Sequence, residues 1–499
     1  MVEQYDFDVT ILGGGSAGYA AARTAAGADL KTVVIEGGEE VGGLCILRGC
    51  MPTKALLYAA EIMHLASHPE PWGIRAGKVS FDFKKVMARK NALIGDFADY
   101  RVKQLNTGKF KFIRADARFV NEHTVALGRA DLPVGPDARQ RVPTQLTAAH
   151  FVIATGSTVA PSPLPQLNEV GFITSDDALA LKKLPKSLIV LGGGPTACEF
   201  GQFFARFGVK TTLVQRSEHI LKEFDTDAAQ VLETVFRREG IRVFTGTKLV
   251  DAKRKGKLKT ISFAHEGKMV SVSAEEILFA LGRVPNTAGL DLEKASVKTE
   301  NGRIVTNEFM QTSASHIYAG GDCTGPHEIV HIAVQQGEIA ARNIAKQQPI
   351  GRAGSPLPAG GAHGVTRPTL NSARMDYRLL ISVVFTEPQV AFVGLTEKEA
   401  KAHGVSYLAA SYPFNDHGKS LIMEAKDGFV KLLADPKSGE ILGGACVGPA
   451  GGELIHEIAA AMAKRMTVHE LAVMPHYHPT LAEIWTYPAE ELAEKIRSS

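Results

Sequence analysis

DFDVTILGGGSAGYAAARTAAG, residues 6–27, reads as a short apolar strand, a glycine turn and an alanine-rich helix. Gly13, Gly15 and Gly18 give the GxGxxG spacing. Such a turn lets a pyrophosphate approach the backbone at a helix N-terminus, where N–H groups and the helix dipole favour an anion. A second apolar run, KTVVIE at 31–36, ends in Glu36. That carboxylate is suited to accept hydrogen bonds from both ribose hydroxyls. A glycine pattern alone is a weak signal. Strand, turn, helix, strand and terminal acid in that order specify a dinucleotide-binding unit.

The same order recurs in SLIVLGGGPTACEFGQFFARFGVKTTLVQR, residues 187–216. Gly192 and Gly194 keep their places, and Ala197 takes the third glycine position. Gln215 lies as far beyond Gly192 as Glu36 lies beyond Gly13, and Arg216 follows it. Losing the carboxylate removes repulsion against a 2′-phosphate, and Arg216, with Lys222 nearby, supplies positive charge for one. This favours NADPH over NADH.

Between the two units stands GGLCILRGCMPTK, residues 42–54, with Cys45 and Cys50 five apart. On a regular helix their Cα atoms would be about 8–9 Å apart, whereas a disulfide needs less than about 7 Å. Either the pair stays apart or the segment leaves the helix. Gly49 permits a bend, and Pro52 suits the first turn of a helix restarting after it. A strained, reversible disulfide is the kind that does redox work. Its place downstream of a nucleotide fingerprint puts it near a bound cofactor.

Composition narrows the class. A chain of 499 residues suggests about three domains. The 45% hydrophobic content fits large cores, and a net charge of only +3 without a basic block implies no nucleic-acid partner. The N-terminus lacks a signal-peptide pattern, and no apolar run reaches the ~18 residues of a membrane span. Five cysteines in so long a chain do not make a disulfide scaffold. The expected location is cytoplasmic, without membrane contact. No metal site is expected, because Cys45 and Cys50 have no second cysteine pair and nothing local completes the His64 and His68 spacing.

Five further stretches extend the reading: FVIATGS at 151–157, LFALGRVPN at 278–286, HIYAGGDCTG at 316–325, VVFTEPQVAFVGLTE at 383–397 and HYHPTLAE at 476–483. With the two fingerprints and the cysteine motif, the chain resembles the pyridine nucleotide-disulfide oxidoreductases over nearly its whole length. That family includes dihydrolipoamide dehydrogenase, glutathione reductase and mercuric reductase. The resemblance implies an α/β fold with two Rossmann-like domains, for FAD and NAD(P), and a C-terminal α+β dimerisation domain. It puts FAD binding at residues 1–155 and 281–350, NAD(P) binding at 156–280, a Pro/Gly-rich linker at 351–376 and the interface domain at 377–499. The stretch 127–143 reads as a surface excursion.

The resemblance also assigns roles. FAD would be held by Gly13, Gly15, Gly18, Glu36, Thr155, Gly156, Gly282, Arg283, Gly321 and Asp322, the last at the ribityl chain. The pyridine nucleotide would be held by Gly192, Gly194, Ala197, Gln215 and Arg216. Lys54 and Glu199 would pair beside the flavin. Cys50 would face the flavin, and Cys45 would attack the substrate disulfide. In a homodimer, His478 and Glu483 of one chain would act as acid–base pair towards Cys45 of the other. A histidine oriented by a carboxylate suits that task.

The implied function is electron transfer from NAD(P)H, NADPH favoured, through FAD and the Cys45–Cys50 disulfide to a small-molecule or protein disulfide. The alternative is dihydrolipoamide dehydrogenase, which runs in reverse with NAD; Gln215 and Ala197 speak against it. Thr24 stands where glutathione reductases carry a substrate arginine, and the chain ends IRSS rather than in the vicinal cysteines of mercuric reductases. Arg48, between the cysteines, either lowers a thiol pKa, meets an anionic substrate or points to solvent.

Overall fold

The structure, a computed structural model, describes residues 4–128, 144–347 and 373–497. Most of the 351–376 stretch and of the 127–143 excursion lies outside the described residues. The chain forms two compact units. The first comprises Met1–Met51, Ala92–Val159 and Arg283–Met375, and the second Pro52–Asn91, Ala160–Gly282 and Asp376–Ser499.

In the first unit, the strand Phe7–Leu12 pairs in parallel with Thr32–Glu36 on one side and Gln145–Ile153 on the other. Lys111–Arg114 and Ile317–Ala319 extend the sheet in parallel at either side. Val9, Ile11, Val33, Val34, Phe151 and Val152 are all fully buried. Burial on both faces is why these strands read as continuous apolar runs rather than alternating ones. The helix Ser16–Gly27 follows the first strand directly, and its alanines form the buried face. Small side chains let it lie close to its neighbours. The sheet and helix together fix the first glycine turn at the strand's C-terminal end, where α/β folds bind ligands.

The second unit contains a four-stranded parallel sheet in the order Arg242–Phe244, Lys210–Val214, Ser187–Leu191, Glu276–Phe279. Pro195–Arg206 is the helix after its glycine turn. A three-stranded antiparallel sheet, Lys248–Lys255, Leu258–His265 and Lys268–Ala274, belongs to the same unit. The C-terminal part is a five-stranded sheet in the order Ile381–Val384, Gln389–Gly394, Ile441–Gly448, Phe429–Ala434, Leu408–Pro413. The helices Gly451–Ala463 and Thr486–Arg497 pack on it around a core that includes Phe414, Ile455, Ile458, Trp485 and Leu492. Trp485 is wholly buried, and its indole N–H donates to Leu454 O at 3.3 Å. Among the described residues, no helix is long and apolar enough to cross a membrane.

Candidate active site

The first glycine turn carries a ready acceptor. Glu36 Oε2 accepts from Gly14 N–H and Oε1 from Gly38 N–H, each at 2.7 Å. Two backbone donors fix the carboxylate beside the turn. The helix begins at Ser16 after Gly15, with no side chain capping its N-terminus, so its first N–H groups suit an anion. In the same unit, Arg283 Nε donates to Ser157 Oγ at 2.8 Å, and Ser157 Oγ donates to Asp322 Oδ2 at 2.7 Å. Asn286 holds the intervening turn through its N–H to Gly156 O and its side-chain amide to Thr155 O. Gly321 N–H is held by Gln336 Oε1 at 2.7 Å. The donors and acceptors present suit a dinucleotide such as FAD: an open helix start for pyrophosphate, a carboxylate for ribose and an oriented aspartate for a polyol.

The cysteine segment packs on this turn. A Cβ on Gly43 would stand 2.7 Å from Gly15 Cα, so only glycine lets the two backbones meet. Gly43–Leu47 is one turn of helix, Arg48 leaves it at φ −141°, and a new helix runs Cys50–Ser67 with Pro52 in its first turn. The departure from regular helix is therefore present. Gly49 serves it by close approach: a Cβ there would lie 3.0 Å from Leu44 O and 3.3 Å from Cys45 Cα. Cys45 and Cys50 are both partly exposed. Arg48 resolves to the surface, its guanidinium 2.6 Å from Glu40 Oε2 with both side chains largely exposed.

Arg101 went unread in the sequence. Its guanidinium lies over the Tyr19 ring at 4.2 Å. Burial pushes its pKa down, while Tyr19 and then the charge of Cys45 pull it up. It comes from the helix Phe83–Thr107, far from the cysteines in sequence, and no local motif marks it.

In the second unit, Gln215 takes the place Glu36 holds in the first: a Cβ on Gly193 would stand 2.8 Å from Gln215 Cγ. The helix Pro195–Arg206 starts after Gly194, again without a capping side chain, and Gly194 has open space where its Cβ would be. Ala197 is fully buried. Arg216 is exposed and makes no ion pair among the described residues. Lys222, the possible helper, lies 3.3 Å from Glu223, with both side chains largely exposed.

Lys54 Nζ lies 3.0 Å from both oxygens of Glu199. Glu199 Oε1 also accepts from Phe385 N–H at 2.9 Å, and the ammonium sits 4.6 Å from the Phe385 ring centroid. The FTEP stretch thus completes the pair that the sequence reading had drawn from two other segments.

His478 Nδ1 lies 2.9 Å from Glu483 Oε2. The histidine is 77% exposed and the carboxylate 12%, so a buried anchor holds an outward imidazole. His476 belongs to a different pair, 2.6 Å from Glu457 Oε1. His417, also unread, stands on the other side of Glu483 with Nε2 at 3.3 Å from Oε1. The His64 and His68 rings are tilted by 34° with their centroids 4.5 Å apart. Burial and then the Arg206 charge push His64 down to about 4. Cys198, Cys323 and Cys446 are wholly buried, and burial pushes each thiol up, Cys323 to about 11. None is available as a thiolate.

The profile of the pyridine nucleotide-disulphide oxidoreductases matches residues 7–337, and that of the family's dimerisation domain matches 380–489. The chain belongs to this family. It is an FAD-dependent, pyridine nucleotide-using oxidoreductase acting on a sulfur group, with a C-terminal dimerisation domain. It is 34% identical over 487 residues to a dihydrolipoyl dehydrogenase of Bacillus subtilis, covering 96% of each chain. It is 32% identical over 481 residues to a mercuric reductase of Bacillus cereus, covering 96% of this chain and 70% of the other. Its fold matches that of the HOCl-induced flavoprotein disulfide reductase RclA from Escherichia coli, with a TM-score of 0.80 at 24% identity over 98% of this chain and all of that one.

Proposed function

We propose that this chain reduces a disulfide substrate with NADPH, electrons passing through FAD to Cys45 and Cys50. The contact of Gly43 with Gly15 carries the reading, because it seats the cysteine segment on the first nucleotide turn. FAD, when bound, supplies two-electron exchange between a nicotinamide and a dithiol. Gly13, Gly15, Gly18 and Glu36 bind it at the first turn, and Thr155, Gly156, Gly282, Arg283, Gly321 and Asp322 along its length. Gly192, Gly194, Ala197, Gln215 and Arg216 bind the pyridine nucleotide. Arg216, which makes no ion pair among the described residues, beside the neutral Gln215 supports a 2′-phosphate there. By the family resemblance, Lys54 and Glu199 would bring a compensated positive charge to the flavin.

In the homodimer, Cys45 attacks the substrate, Cys50 resolves the mixed disulfide, and the partner subunit's His478, held by Glu483, gives a proton to the leaving thiol. We assign residues 1–155 and 281–350 to FAD, 156–280 to NAD(P), 351–376 to a linker and 377–499 to the interface. A second reading, dihydrolipoamide dehydrogenase working with NAD in the cytoplasm, is supported by the identity to the Bacillus subtilis enzyme.

An anaerobic titration of the purified protein with NADPH and, separately, NADH tests the choice. A long-wavelength thiolate–flavin absorption that grows with NADPH and not NADH is the expected result. Equal or better reduction by NADH, with turnover of dihydrolipoamide, moves the assignment to the second reading. Flavin bleaching without that band removes Cys45 and Cys50 from the electron path.

A further inference from the structure

Glu483 is held between two unlike imidazoles. His478 Nδ1 is 2.9 Å from Oε2, and His417 Nε2 is 3.3 Å from Oε1. His478 is open to solvent, while the His417 side chain has no exposed surface. His417 follows the short turn Phe414–Asp416 and precedes the helix Gly418–Ile422. Its Nδ1 lies 2.8 Å from Oγ of the fully buried Ser420. The edges of Phe414 and Tyr487 bracket the ring at 6.4 and 6.5 Å.

Nε2 is buried, and its approach to Glu483 falls short of good hydrogen-bond alignment. Hydrogen bonds of acid–base groups commonly tighten only when substrate binds. Burial lowers the His417 pKa, against the opposing pull of Glu483. A carboxylate only accepts, whereas the Ser420 hydroxyl can donate. The N–H therefore belongs on Nε2, facing Glu483, and Nδ1 accepts from Ser420. The other titratable groups around this cluster are His478, Tyr487, Tyr412 stacked on Tyr487 at 3.9 Å, and Asp416, which accepts from the Tyr412 hydroxyl.

An exposed imidazole is only as well aimed as the carboxylate behind it, and that carboxylate needs its own fixed partner. We propose that His417 is a positioning residue for the His478–Glu483 pair: its Nε2–H fixes one oxygen of Glu483 so that the other is presented to His478 Nδ1. The inference rests on the reading of His478 as proton donor to the leaving thiol.

The test uses the FAD-loaded protein, reduced with dithionite and reoxidised by two probes. Hydroxyethyl disulfide has a basic leaving thiol that needs a proton, whereas dithiobis(nitrobenzoate) has an acidic one that leaves without help. His417→Phe should slow reoxidation by the alkyl disulfide about tenfold and leave that by the aromatic disulfide within about twofold. His417→Gln, which keeps a donor, should restore most of the difference, and Ser420→Ala, which frees the tautomer, should fall between. The His478 ring titration, followed by NMR, should move in His417→Phe and return in His417→Gln.

Unchanged rates and an unchanged His478 titration in His417→Phe overturn the proposal. Should that variant fail to fold, an unchanged selectivity in Ser420→Ala overturns it instead. If His478→Gln itself spares the alkyl disulfide, the acid–base reading is what fails, and the His478 titration still decides whether His417 positions the pair.

Discussion

Lys54 Nζ sits 3.0 Å from each carboxylate oxygen of Glu199, and the peptide N–H of Phe385 binds one of those same oxygens. Glu199 is almost wholly buried and Lys54 one-third exposed. Removing the carboxylate leaves a half-buried ammonium and a backbone donor unpaired. Glu199→Leu, which removes both acceptor oxygens, should cost about 1–3 kcal/mol of stability in urea unfolding. Adding Lys54→Met should recover part of that loss, because the two side chains act as one unit. Additive losses would show that the pair is not coupled.

That pair was legible because both residues sit at fixed offsets inside motifs: Lys54 just after Cys50, and Glu199 just after the second glycine turn. The glycine turns were legible for the same reason, since strand, turn, helix and acid are contiguous. Gly49 is read from sequence as the weak point of the helix through its freedom to bend; the structure adds that a Cβ there would be tight against the Leu44–Cys45 backbone. Arg101 and His417 were invisible. Each reaches its partner across the fold rather than along the chain, and a lone arginine or histidine on a helix or turn carries no spacing to read. Lys222, read as a possible helper to Arg216, lies 3.3 Å from its neighbour Glu223, a local pairing that a charge count over the loop overlooks.

Arg101 makes its own prediction. Its guanidinium lies within electrostatic reach of Cys45, and a nearby cation favours the thiolate. In the reduced protein, Arg101→Met should slow alkylation of Cys45 by iodoacetamide at neutral pH by about three- to tenfold. Raising the pH should close the gap, since the thiolate then forms without the cation. A rate unchanged across pH would show that Arg101 serves only the Tyr19 ring.

Arg216 bears on coenzyme choice. It is exposed and makes no ion pair among the described residues, so its removal disturbs little else. Arg216→Gln should raise the KM for NADPH about ten- to a hundredfold, the worth of one charge-assisted phosphate contact. The KM for NADH should stay within about twofold, because the 2′-phosphate is the only difference between the coenzymes. Equal losses with both would place Arg216 on a shared part of the nucleotide.

Glu387 links stability to pH. It lines a cavity of about 230 Å3 together with Lys54, Tyr58, Glu61 and Arg206. Burial pushes its carboxyl up to about 7, with Arg206 pulling down and Glu61, Glu239 and Asp427 pushing further up. The folded chain thus keeps a proton that the unfolded chain releases near the ordinary glutamate value. Its contribution is fully present below pH about 4.5 and is lost as pH rises through about 7. Above that range the folded state must either bury a charge or hold a proton against solvent. Part of the residue still reaches solvent, which trims the effect to about 1–3 kcal/mol at pH 8. Glu387→Gln keeps the shape and removes the titration. The variant should be more stable than the parent at pH 8 by that amount and equal to it near pH 4.5. A constant difference between the two pH values would mean that Glu387 is charged throughout and that Arg206, not burial, dominates its environment.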